Sequence, residues 1–222
     1  MRRLSFAAAA IAAAATCLGT ASAARAATPD PVVFVHGFSG SGANWTTAHS
    51  VFQEAGYSAD RLFDYEYNSY GDNIKNAEGL ASYVAEVKAK TGARKVDIVN
   101  HSMGGLVSLW YLKNLGGTAD VGKLASLAGA NHGTYAAYNC FWLTTCQQMM
   151  PGSKYIKNIT TGDETPGDTS YATWYSSCDG VINPYKSTVL AGADNHLTGC
   201  VKHLKFLTDT DVLKQVAGFL KS

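Results

Sequence analysis

Hydrophobic positions along this chain follow two periods in turn. Pro31-Val32-Val33-Phe34-Val35 is a continuous apolar run ending at His36-Gly37, the pattern of a strand buried on both faces. Arg61 to Tyr65, Lys95 to Val99 and Lys123 to Leu127 predict three further strands, and Tyr171 to Ser177 and Ser187 to Ala191 predict the last two. Between them the period lengthens. From Asn73 to Lys90, Ala77, Leu80, Ala81, Val84 and Val87 recur at three and four residues, and Gly92 stops the helix. Gly104 to Leu115 predicts a second helix, ended by Gly116-Gly117, and Thr210 to Leu220 a closing one.

Strands alternating with helices imply a mostly parallel sheet with helices on both faces, in a single α/β domain. The stretch from Tyr138 to Gly167 has no clear period. It holds Cys140, Cys146, Pro151 and Pro166 and reads as a disulfide-pinned excursion over the sheet. Asn44-Trp45-Thr46 and Asn158-Ile159-Thr160 fit the glycosylation pattern, which matters only in a eukaryotic host.

The first 26 residues stand apart. Arg2 and Arg3 precede an Ala-rich apolar stretch from Phe6 to about Leu18, and small residues offer cleavage after Ala23 or Ala26. That order is a secretory signal peptide, and the apolar run is shorter than the ~20 residues a membrane span needs. Lipid attachment at Cys17 is disfavoured by Thr16, where a small residue is usual. Cleavage after Ala26 leaves residues 27–222 as one domain and removes Arg2, Arg3 and Arg25, so 15 basic residues face 17 acidic ones. No basic stripe calls for nucleic acid.

Cys140, Cys146, Cys178 and Cys200 remain, an even number that suggests two disulfides in an exported chain. Of the three pairings, proximity favours Cys140–Cys146 with Cys178–Cys200. No pair shows the close spacing typical of zinc sites, and no metal is expected.

The sharpest chemical signal is Asn100-His101-Ser102-Met103-Gly104-Gly105, placed between a buried strand and a helix, where a nucleophile elbow belongs. Such an elbow requires small residues two positions to either side of the serine. Gly104 obeys, whereas Asn100 stands where glycine is usual; Asn tolerates unusual backbone angles better than most residues. A serine needs a base to take its proton, and the partners follow in the order serine, acid, histidine. His203, just before the closing helix, is preferred to His196. Asp179 follows a strand at its C-terminal end, where sites in open α/β sheets gather, and is preferred to Asp163, Asp168 and Asp194 in polar loops. The oxyanion donors expected are the backbone N–H groups of Met103 and of Phe38, in the Gly-rich loop after the first strand. His36 reads as a residue that orders that loop. Trp45, Trp142 and Trp174 are either lining residues of a substrate pocket or ordinary core and surface residues.

The segment Lys95–Gly105 resembles the nucleophile region of the small secreted bacterial lipases of class 2, typified by Bacillus lipase A. So do Pro31–Phe38, Ala128–Thr134, Tyr175–Asp179 and His203–Thr208, which together span nearly the whole chain after the leader. The resemblance implies a minimal α/β-hydrolase fold without a lid domain, hydrolysis of carboxylic esters with no cofactor, and the same assignments: Ser102 nucleophile, Asp179 acid, His203 base, Phe38 and Met103 oxyanion donors. Acylglycerols are the implied substrates, with feruloyl (aryl) esters or polyesters as alternatives. A catalytically silent binding protein is the reading from a different class. The chain departs from the Bacillus type in its four cysteines, its longer Tyr138–Gly167 excursion and the segment Leu197–Lys202. An extracellular monomer that meets a lipid interface transiently is expected, and the Ala-rich leader suggests an actinobacterial source.

Overall fold

Four buried residues in a row, Val32–Val35, form β1. With apolar side chains on both pleat faces this strand belongs at the centre of a sheet, and it pairs in parallel with β2 (Leu62–Tyr65) on one side and β3 (Val96–His101) on the other. Beyond β3 lie β4 (Val121–Leu127), β5 (Ser170–Tyr175) and β6 (Asp194–Leu197), giving a six-stranded, all-parallel sheet in the order β2-β1-β3-β4-β5-β6. The computed structural model describes Met1 and residues 29–222; apart from Met1, the leader expected at residues 1–26 lies outside the described residues.

Helices cover both faces. α2 (Asn73–Thr91) packs against α3 (Gly104–Asn114), which also meets α5 (Lys154–Thr160). α1 (Thr46–Glu54) packs against α6 (Thr210–Lys221). The helix ends follow local chemistry. Asp72 caps α2 by accepting from the Ile74 N–H, Asp209 caps α6 by accepting from Val212, and Gly92 closes α2 with φ of +68°.

One expectation needs correction. Ser187 to Ala191 is not a strand: Tyr185–Thr188 form a short 3-10 turn, and Gly192 at φ +89° turns the chain. Leu190 is still buried, delivered to the core by a loop. The sixth strand is instead the polar Asp194–Leu197, an edge strand whose exposed and half-exposed side chains leave no apolar alternation to read. The pattern also gives no sign of α1, whose buried face rests on only Ala48, Val51 and Phe52, or of the two short helices within Tyr138–Gly167.

The excursion carries α4 (Thr144–Met149) as well as α5. The disulfides are Cys140–Cys146 and Cys178–Cys200. No helix among the described residues is long and apolar enough to cross a membrane.

Candidate active site

The chain runs outward from β1 to β2, then returns past β1 to β3 and continues the other way. The C-terminal ends of β1 and β3 therefore border a switch point, where ligands of open α/β sheets bind. Ser102 leaves β3 there and is forced into a left-handed conformation, with φ of +57°. L-residues seldom adopt it, so the turn is held from outside. The Ser102 N–H donates to the Leu127 carbonyl, and the Ser102 carbonyl accepts from Gly105 and Ala130. A Cβ on Gly104 would overlap the Val35 and His36 carbonyl oxygens, and one on Gly37 would lie 2.8 Å from Ser102 Cβ. Glycine at these two points lets α3 start beneath β1 and lets the loop after β1 rest on the serine.

Ser102 Oγ lies 2.9 Å from His203 Nε2, and His203 Nδ1 lies 2.9 Å from Asp179 Oδ2. A carboxylate only accepts, so Nδ1 carries the proton and Nε2 is free to accept from the serine. All three residues are buried or nearly so. The second carboxylate oxygen of Asp179 accepts from the N–H groups of Val181 and Ile182, at 2.9 and 2.6 Å, and the His203 N–H donates to the Asp179 carbonyl. Acid and histidine are thus fixed through backbone as well as side chain.

Phe38 follows β1, and Met103 opens α3. Among the described residues the N–H groups of both lack a protein acceptor. Two clefts meet at Ser102 and share Phe38 and Val181. One, of about 300 Å³, runs past His203, Leu204, Leu207, Ser39 and Asn44. The other, of about 320 Å³, is lined by Thr134, Ala136, Ala137, Cys140 and Met149.

Other sequence candidates lie elsewhere. His196 stacks on Trp174 and pairs with Asp194 on the edge strand, and Asp163 caps a turn at Thr165. Trp45 and Trp174 are core residues and Trp142 is exposed, so none lines either cleft. His36 bonds the Gly37 carbonyl and stacks on Tyr67, ordering the loop; burial lowers its pKa. Asn100 is not among the residues with positive φ, so its tolerance of unusual angles is not what it supplies. It lies in β3, and its Oδ1 accepts from Ser126 Oγ at 2.8 Å. Ser126 in turn contacts Asn131, whose Nδ2 donates to the Thr188 carbonyl. Asn100 begins a buried polar chain behind the serine.

Two supporting residues escaped the sequence reading. Ser176 Oγ accepts from the N–H groups of Cys178 and Val201 and donates to the Gly199 carbonyl, sewing the acid loop to the histidine loop. His101 bonds the His203 carbonyl. Nothing in the local pattern marks either, because the partners that give them these roles, Gly199 and Val201 for Ser176 and His203 for His101, lie 23 or more residues away.

A parallel sheet with helices on both faces, and a serine in a tight strand–helix turn at the switch point, define an α/β hydrolase. The chain belongs to the class 2 lipases: the family model described as "Lipase (class 2)" matches residues 29–216. It is accordingly a carboxylic ester hydrolase. Its fold is similar to that of Bacillus licheniformis lipase BlEst2 in mature form, at 20% identity and a TM-score of 0.76, covering 87% of this chain and 92% of that one. It is also similar to Aspergillus fumigatus lipase B, at 16% identity and a TM-score of 0.75 over 87% of this chain, which spans only 52% of that one. Neither relative is actinobacterial.

Proposed function

We propose that Ser102, His203 and Asp179 act as a catalytic triad that hydrolyses carboxylic esters through an acyl-enzyme. The observation that carries this reading is the hydrogen-bonded chain Ser102 Oγ–His203 Nε2, His203 Nδ1–Asp179 Oδ2, both links at 2.9 Å, opening onto the two clefts.

His203 Nε2 takes the hydroxyl proton as Ser102 Oγ attacks the ester carbonyl. Asp179 holds the imidazole in the required tautomer and stabilises the imidazolium. The N–H groups of Phe38 and Met103 receive the oxyanion. The C–O bond to the alcohol then breaks, and Nε2 returns its proton to the departing oxygen. Water deprotonated by His203 repeats the sequence on the acyl-enzyme, releasing the acid and restoring Ser102.

Because His203 must reach the leaving oxygen, the alcohol belongs in the cleft lined by His203 and Leu204. The acyl group then belongs in the arm lined by Ala136, Ala137 and Met149. Acylglycerols are the proposed substrates, and their acyl arm lies at the small end of ligand pockets, which favours short chains. Two disulfides and the leader, cleaved after Ala23 or Ala26, support export and action outside the cell.

Labelling with a fluorophosphonate probe tests the mechanism. The native protein should be modified at Ser102, and Ser102→Ala should remain folded, unlabelled and inactive. Normal turnover by a folded Ser102→Ala protein would overturn the triad.

A further inference from the structure

We propose that the aromatic tip of the Cys140–Cys146 segment is a docking surface for an uncharged lipid phase, emulsified triacylglycerol. The inference rests on the ester-hydrolase reading of the cleft beside it. Tyr135 and Tyr138 stack with centroids 6.2 Å apart, and Phe141 and Trp142 pack edge to face at 5.4 Å. All four are more than half exposed, Trp142 at 67%. Single exposed apolar side chains are ordinary, but contiguous ones mark an interaction site.

Three observations select the occupant. From Leu124 to Ser153 the chain contains no Asp, Glu, Lys or Arg, so the tip offers no charge to an ionic partner and desolvates none on a neutral surface. The patch is continuous with the proposed acyl arm: Ala136, Ala137, Asn139 and Cys140, which line that arm, alternate with the exposed rings. The opposite rim also presents apolar side chains, Val181 and Leu204 exposed at the mouth and Tyr70 packed on Phe38, with Lys202 and Lys205 flanking Leu204.

The tip is also held in place. Cys146 is fully buried, and Thr145 accepts from Asn73 Nδ2 at 3.1 Å. Gln147 Nε2 donates to the Phe141 carbonyl. With the disulfide, these bonds keep Phe141 and Trp142 from folding back onto the core. The exposed rings are therefore a fixed feature of the surface beside the cleft mouth.

The test uses Ser102→Ala to separate binding from turnover, and triolein droplets stabilised with phosphatidylcholine as the surface. Trp45 and Trp174 are buried and Trp110 packs on Tyr155, so a change in tryptophan emission reports Trp142. Emission should shift to the blue on adding droplets. The shift should persist when salt is raised from about 0.05 to about 0.5 M, because no ion pair is involved. Phe141→Ser/Trp142→Ser should hydrolyse soluble p-nitrophenyl acetate normally but adsorb at least roughly tenfold more weakly by flotation, since burial of two large rings is lost. Unchanged adsorption would overturn the proposal. So would adsorption that needs anionic lipid and vanishes with salt, which would assign docking to Lys202 and Lys205 beside Leu204. A blue shift produced by protein concentration alone would assign the patch to a second copy of the chain. Retained turnover in Ser102→Ala would sink the triad instead, and leaves the adsorption result legible.

Discussion

His101 Nε2 lies 3.1 Å from the backbone carbonyl oxygen of His203, so the residue before the serine holds the backbone of the histidine that faces it. The carbonyl only accepts; Nε2 of His101 therefore carries the proton and the ring is neutral. Burial, and secondarily the charge of His203, push the His101 pKa down to about 3.

A first prediction follows for acid solution. The His101 ring stays neutral in mildly acid solution and takes no part in any acid limb of log kcat/KM there. That limb should keep its position and slope in His101→Phe, and a limb that moves would mean that His101 titrates. His101→Phe keeps the ring but removes the donor; kcat should fall roughly tenfold through misplacement of His203, with KM little changed.

Beyond the two bonds between Asp179 and His203 themselves, the acid and histidine loops are joined by the Cys178–Cys200 disulfide and by the Ser176 hydroxyl. Removing both cysteines leaves the hydroxyl in place, and Ser176→Ala leaves the Cys178 N–H without its acceptor, at about 1–3 kcal/mol, and the Val201 N–H with only the Gly199 carbonyl. Each variant should lose stability, and the triple variant should lose turnover by more than the product of the two effects at a temperature where it remains folded. Unchanged turnover with only lower melting temperatures would give these links a purely structural role.

Gly104→Ala places a Cβ against two carbonyl oxygens of the β1 end, neither of which belongs to a mobile side chain. Destabilisation on the order of 3 kcal/mol is expected, with loss of activity through displacement of Ser102. Denaturant melts of the purified variant would check this, and a native-like midpoint would contradict the close approach of α3 and β1.

Asp97, buried on β3, provides a pH test remote from the cleft. Burial raises its pKa from the ordinary 3.8 to about 7, Asp30 adds to the shift, and Lys123 opposes it. The folded state then holds a proton that the unfolded chain has released. The associated stability is full below the unfolded pKa of 3.8 and is lost as pH rises through about 7. Asp97→Asn should flatten this dependence and raise the melting temperature in mildly alkaline buffer by about 2–4 °C, as about 1 kcal/mol does in a domain of this size. An equal effect at acidic and alkaline pH would exclude titration of Asp97 as the cause.

The segment nearest the cleft mouth is tied by the Cys140–Cys146 disulfide. The rate on tributyrin should therefore rise smoothly through its solubility limit, even though the aromatic tip adsorbs to the interface. A steep jump at that limit would show a cover that opens.

Much of this molecule is legible in one dimension. Val32–Val35 has to be an interior strand because nothing in it suits water, Val96–Val99 follows it with only Asp97 interrupting the apolar run, and the three-and-four spacing through Ala77, Leu80 and Val84 has to be a helix with one buried side. The turn at Ser102 is legible because the need for a small residue at Gly104 is local, and chain order, with Asp179 at a strand end and His203 before the closing helix, points to the two residues that the fold brings against it. Where the signal is not local the sequence is silent. Asp194–Leu197 became a strand only because the edge of β5 was available to pair with, and Ser187–Ala191 failed to become one because Leu190 found its burial through a loop. The hydroxyl of Ser176, the polar chain from Asn100 to Thr188 and the hold of His101 on His203 join residues far apart in sequence. Hydrogen bonds of that kind leave no periodicity, since any residue with the right donor or acceptor serves once folding has brought it within about 3 Å, and only the tertiary structure decides which residues those are.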